Sequence, residues 1–282
     1  MTVHTSTISP DETRALLQAE EKVLSQYSVG FVLPVKSDDA TLGGSGTFVT
    51  IDDSRGILTA AHVVEALSKH ETVGLVLAIP GKPHRPQLSL SRCRTILLRP
   101  TEMPKDGPDL AFVVPPPDLL GALAAVGSFY NLTKRQPLML ESPPDINLGM
   151  WLLSGFADEW TGDLPPEPGF PKLKSFNGMH GLGKVAKEYE AGDFDYLVYE
   201  ALYNDLYEGP NTYGGFSGGA LWHLLGRPNE NGSLEITERL LSGVAFYESG
   251  KEEVKEGTTR QITCQGRKSI YRNLISQVRE VL

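Results

Sequence analysis

From Ser28 onward the chain is a succession of short apolar runs, each closed by glycine, proline or aspartate. Val29-Gly-Phe-Val-Leu-Pro-Val35, Thr47-Phe-Val-Thr-Ile51 and Leu110-Ala-Phe-Val-Val114 are examples, the last stopped by three prolines. Runs this short and β-branched, bounded by turn residues, read as strands. With 29 glycines and 20 prolines to supply the turns, the pattern predicts an all-β architecture.

Further strands are expected at Ile57–Thr59, Val73–Ile79, Cys93–Leu98, Gly149–Phe156, Lys184–Tyr189, Tyr196–Leu202, Ala220–Leu224, Leu240–Tyr247 and Gln261–Gln265. Gly43-Gly-Ser-Gly46 reads as a turn, 118–136 as a crossing linker, and the Gly/Pro-rich 159–183 as a long surface loop. Helical signals are few. Ser9-Pro10-Asp11-Glu12 is a helix start, followed by Leu16, Leu17, Ala19, Val23 and Leu24 at helical spacing, which predicts an amphipathic helix over 10–26. Ala60–Leu67 reads as a short helix, and 271–282 as a terminal one with Leu274, Ile275, Val278, Val281 and Leu282 on one side.

Bulk properties remove several classes. The 282 residues carry a net charge of −9, so there is no basic excess to meet nucleic-acid phosphate. The two cysteines, Cys93 and Cys264, have no metal-type spacing and are expected to be reduced and buried. No bound metal or cofactor is expected. The first residues lack a signal-peptide pattern, and no run approaches the ~18 apolar residues of a membrane span, so a cytoplasmic location is expected.

Three places could carry chemistry. Ser217 lies in Gly215-Phe-Ser-Gly-Gly219, where glycines allow backbone N–H groups to turn toward a developing oxyanion. A hydroxyl needs a base. Of six histidines, His62 follows a strand and Thr59-Ala60-Ala61, whose small side chains leave its ring room for a partner. A third group must orient that ring, and Asp109 stands at the mouth of the apolar run 110–114, where a carboxylate requires a partner. Asp106 is its nearest rival. Taken singly, each has a plainer reading: a polar turn, a satisfied core histidine, a strand-start aspartate. Chain order discriminates. The α/β-hydrolase elbow runs Ser, acid, His, yet only His223 follows Ser217, with no acid between. The subtilisin order would place an aspartate before the histidine on a parallel α/β scaffold, which the β texture does not suggest. His, Asp, Ser remains.

Thr59-Ala-Ala-His62, Asp109-Leu-Ala-Phe-Val113 and Gly215-Phe-Ser-Gly-Gly219 resemble, in order, the three signature blocks of the trypsin/chymotrypsin serine peptidases, over roughly residues 28–282. The resemblance implies two six-stranded antiparallel β-barrels with a cleft between them. The first (28–125) would carry His62 and Asp109. The second (126–282) would carry Ser217 and end in the terminal helix, and residues 1–27 would form a helical extension. It further implies acyl transfer to Ser217, with an oxyanion hole from the N–H groups of Gly215 and Ser217. Asn211, Thr212, Phe246, Tyr247 and Glu248 would line the substrate pocket. Two departures resemble bacterial and intracellular members. Phe216 stands where activated digestive enzymes have an aspartate that pairs with a freed N-terminus, and Val63 where many have a cysteine. Asn211 replaces the aspartate that gives Arg/Lys preference. The implied partner is a protein or peptide substrate, not nucleic acid or membrane, with control by a regulatory protein or by the N-terminal helix. An inactive binding module and an esterase on the same scaffold are the competing readings.

Overall fold

A computed structural model of the chain describes residues 10–35, 39–77, 86–99, 107–163, 174–202, 209–230, 233–254 and 257–282. Asp106 lies outside them. The short apolar runs pair antiparallel into two sheets. The first contains β1 Ser28–Val35, β2 Asp39–Ile51, β3 Ser54–Thr59, β4 Val73–Leu77, β5 Gln87–Leu88, β6 Arg94–Leu98, β7 Leu110–Val114 and β8 Tyr130–Asn131. Its order is β5-β4-β1-β2-β3-β7-β6, with β8 parallel to β2. The second contains β9 Met150–Asp163, β10 Lys174–Ala191, β11 Phe194–Ala201, β12 Ala220–Pro228, β13 Leu234–Val254 and β14 Gly257–Gln265. These pair around a closed ring, β10-β11-β14-β13-β12-β9.

The molecule is thus mostly β, in two sheets. Among the described residues the first sheet holds eight strands on an open path and the second closes with six, a layout consistent with two barrels in which closure of the first is not shown.

Three local expectations are corrected. Gly43–Gly46 is not a turn but the interior of β2. A bulge between Phe31 and Val32 of the β1 pairing accommodates Gly43. Glycine is required there because a Cβ on Gly44 (φ +139°) would sit 2.7 Å from Val63. Of the 159–183 stretch, 159–163 and 174–183 are strand, since β9 and β10 pair from Lys174 opposite Asp163 to Gly183 opposite Trp151, while 164–173 lie outside the described residues. Gly183 is a close-approach residue rather than a breaker: a Cβ on it would lie 2.3 Å from the Tyr199 ring. The 118–136 linker holds α3 Pro117–Ala124 and the start of α4 Leu132–Glu141, which Asn131 caps by accepting from Lys134 N at 2.7 Å.

The remaining helices are α1 Pro10–Leu24, α2 Ala61–Leu67 and α5 Ile275–Val281. A π-helical segment, Lys268–Leu274, winds into α5 where a regular helix from Tyr271 was expected. Its entry is tied down by Asp195, which accepts from Lys268 N (3.0 Å) and Ser269 N (2.8 Å).

One buried cluster joins α1, both sheets and the C-terminal helical segment. Leu17 and Leu24 of α1, Leu58 and Phe112 of the first sheet, Leu152, Trp222 and Leu241 of the second, and Ile270, Leu274 and Val278 near the C-terminus all belong to it. Burying each such side chain contributes about 1.5–3 kcal/mol. Phe156 of β9 packs against Leu42 and Val76, closing the seam between the sheets. Both cysteines are free; Cys264 is buried, whereas Cys93 is only half-buried, contrary to expectation. No described helix is long and apolar enough to cross a membrane.

Candidate active site

Strand pairing brings His62 and Asp109 together. Thr59 at the end of β3 pairs with Ala111 of β7, so the residue before β7 faces the start of α2. The His62 Nδ1–H donates to Asp109 Oδ2 at 2.5 Å, and the His62 backbone N–H donates to Asp109 Oδ1 at 2.9 Å. Both carboxylate oxygens are therefore committed to one residue, which sets the ring's tautomer and orientation. Asp109 is buried and His62 half-exposed. Burial pushes the Asp109 carboxyl up. The bond from the His62 ring, the His62 charge, the His62 backbone N–H and the Arg99 guanidinium outweigh it and hold the group below the usual range.

His223, the only histidine after Ser217, is unsuited to act as a base. It is buried, stacks on Trp151 with centroids 4.0 Å apart, and donates from Nε2 to the Leu148 carbonyl at 2.5 Å. Burial, the largest effect, keeps it toward the neutral form, while the Leu148 bond opposes the shift.

Ser217, half-buried, lies in the turn that feeds β12. The turn is pressed against the chain leading to His62: a Cβ on Gly218 (φ +88°) would stand 2.1 Å from Thr59 Oγ1 and 3.1 Å from Ala60 N. No hydrogen bond joins Ser217 to the His62 ring among the described residues. Such bonds often tighten only when substrate binds.

Most backbone groups from 213 to 219 are hydrogen-bonded. All five carbonyls from Tyr213 to Ser217 are occupied. Tyr213 O accepts from Phe216 N (3.0 Å), Gly214 O from Asp158 N (2.9 Å) and Phe216 O from Gly219 N (2.7 Å). Gly215 O accepts from Ser45 Oγ at 2.8 Å, and Ser217 O from Ser45 N at 2.7 Å. Among the donors, Tyr213 N–H goes to Glu248 Oε2 (3.1 Å), Gly214 N–H reaches Thr212 Oγ1 (3.4 Å) and Gly218 N–H goes to Ala245 O (2.7 Å). Two donors of this turn, the N–H groups of Gly215 and Ser217, have no acceptor among the described residues. The Phe216 N–H to Tyr213 O bond and the Gly215 φ of +90° are those of a type II turn, with glycine where that turn needs it. Phe216 is buried, edge-on to Tyr213 at 4.9 Å, so the side chain between the two donors anchors the turn in the second sheet's core.

No family model matches the chain, and no curated protein does. Solved structures similar to it include the Rv3671c protease in an inactive form, at 15% identity over 93% of this chain and 95% of that one, with a TM-score of 0.40. The HtrA-type protease AlgW with a decapeptide aligns at 12% identity over 97% of this chain and 67% of that one, TM-score 0.43. A chain from work on the Sesbania mosaic virus VPg protein aligns at 14% identity over 88% and 90%, TM-score 0.40. Likeness this distant carries no weight beside the geometry of the 213–219 turn.

The expected pocket residues form a polar network. Glu159 Oε1 accepts from Asn211 N (3.1 Å) and Asn211 Nδ2 (2.8 Å), and Oε2 from Thr212 N (3.1 Å). Arg260 pairs with Glu248 at 3.1 Å and also donates to the Asn211 carbonyl. Glu248 bridges the Tyr213 N–H and the Arg260 guanidinium. Phe246 is half-buried near Tyr196 and Tyr247 is 61% exposed. Ser45, Glu159 and Arg260 were not singled out from the sequence. Ser45 hid inside an apparent turn, and the other two looked like ordinary surface charges. Among the described residues no cluster of His, Cys, Asp and Glu could hold a metal ion.

Proposed function

We propose that the chain is a serine endopeptidase with the two-barrel, chymotrypsin-like arrangement, and that Ser217, His62 and Asp109 carry the reaction. The observation that supports this most is the pair of unpartnered N–H groups at Gly215 and Ser217. Backbone donors are rarely left unpaired inside a packed turn, and the other N–H groups from Tyr213 to Gly219 all have acceptors. Two free donors flanking one serine hydroxyl suit a tetrahedral oxyanion.

In this reading His62 Nε2 removes the Ser217 Oγ proton as Oγ bonds to the scissile carbonyl carbon. The carbonyl oxygen takes up the negative charge against the two N–H groups. Collapse breaks the C–N bond, and the proton passes from His62 to the leaving amine. Water then repeats the sequence to release the acid and free Ser217. Asp109, held ionised, stabilises the imidazolium. Asn211, Thr212, Phe246, Tyr247 and Glu248 would wall the substrate side-chain pocket. The Glu248 charge is opposed by Arg260 at 3.1 Å, and Glu159 accepts from Asn211 and Thr212, so the negative charge of this wall is largely compensated and an Arg/Lys preference is not favoured.

A fluorophosphonate probe tests the proposal. Wild type should be labelled on Ser217 and the Ser217→Ala variant should not. Properly folded wild type that resists labelling would show a protease-like binding module instead. Peptide-library cleavage then separates peptidase from esterase, with uncharged side chains expected before the cut.

A further inference from the structure

We infer that Ser45 is a positioning residue: a buried hydroxyl on the first sheet that holds the two donors of the second sheet's turn in working geometry. The inference rests on the serine-hydrolase reading above.

Ser45 is fully buried in β2, and its polar atoms go to other elements. Its Oγ–H donates to Gly215 O (2.8 Å), and the same oxygen accepts from Phe156 N of β9 (2.9 Å). Its N–H donates to Ser217 O (2.7 Å), and its carbonyl accepts from Thr59 Oγ1 (2.6 Å). One residue therefore binds the peptides on the far side of both free donors.

The consequence follows from peptide planarity. The 215–216 peptide is clamped at its oxygen by Ser45 Oγ and at its nitrogen by Tyr213 O. The 217–218 peptide is clamped at its oxygen by Ser45 N and at its nitrogen by Ala245 O. The intervening 214–215 and 216–217 peptides, which own the free N–H groups, have little freedom to rotate between fixed neighbours. Removing the hydroxyl orphans two buried groups, Gly215 O and Phe156 N. A peptide rotation that turns the Gly215 carbonyl toward another donor then becomes favourable, and it moves the adjacent N–H. Thr59, one link further out, fixes Ser45 itself.

The test measures inactivation by a rhodamine fluorophosphonate, separating kinact from KI, alongside the unfolding temperature. For Ser45→Ala we expect kinact to fall about 10- to 100-fold, approaching the loss of one oxyanion donor, with KI within about twofold of wild type. A merely structural role would lower the unfolding temperature without this split. If Ser45→Ala does not fold, Thr59→Val, nearly isosteric, decides: a smaller fall in kinact at constant KI supports the assignment. Unchanged kinact in the folded variants, or a loss carried by KI, overturns it. Wild type that is folded but unlabelled on Ser217 overturns instead the hydrolase reading on which it rests.

Discussion

Asp109 shows how one side chain's surroundings decide its chemistry. Its depressed pKa means that it binds fewer protons folded than unfolded at mildly acidic pH. It therefore contributes stability above the ordinary aspartate value of 3.8, and that contribution is lost as pH falls through the lower folded value. Asp109→Asn should flatten the acid limb of the stability curve, seen by thermal unfolding at a series of pH values. On the proposed function, the same variant should cut peptidase turnover by roughly 10⁴-fold, because the amide supports the wrong imidazole tautomer. Gly218→Ala should be costly in another way. Its φ of +88° and a Cβ 2.1 Å from Ser45 O leave no room for a methyl group, so a loss of at least about 2 kcal/mol is expected in denaturant unfolding. His62 and Ser217 could be singled out in the sequence because small glycine and alanine neighbours are a local pattern. Ser45 was not, because its importance lies in partners at positions 59, 156, 215 and 217.

Helix α1 is joined to the second sheet by an ion pair that no local pattern could reveal. Glu20 is 3% exposed and receives two bonds from Arg239 of β13, at 2.5 and 2.7 Å. The Glu20 bond, ahead of a smaller opposing effect of burial, raises the Arg239 pKa further. Glu20→Gln leaves a partly buried guanidinium short of its counter-charge and should cost about 2–3 kcal/mol in chemical unfolding. Adding Arg239→Met should recover part of that loss. The helix itself was legible from its cap and apolar spacing. Strands β9 and β10 were legible only in part, because glycine marks both turns and close approaches, and only the packed neighbour, such as Tyr199 beside Gly183, tells them apart.

The two sheets share one core rather than meeting as separate bodies. Leu58 and Phe112 from the first and Trp222 and Leu241 from the second lie in a single buried cluster with α1 and the C-terminal helix. Thermal unfolding should therefore be one transition, with far-ultraviolet circular dichroism and tryptophan fluorescence coinciding; two separated midpoints would contradict the shared core. Taken alone, the chain's short β-branched runs and frequent turns determined a β-rich fold, and its order of histidine, aspartate and serine selected the residues to watch. Those are local and sequential properties, carried by side-chain period and by the glycine neighbours of a reactive group. Tertiary structure decided the rest. It left the strand path of the first sheet open among the described residues, gave Glu248 to Arg260, and put Ser45 beneath the 213–219 turn. Each depends on which strands meet across the seam, and hydrogen bonds between residues more than a hundred positions apart leave no periodic trace in either segment.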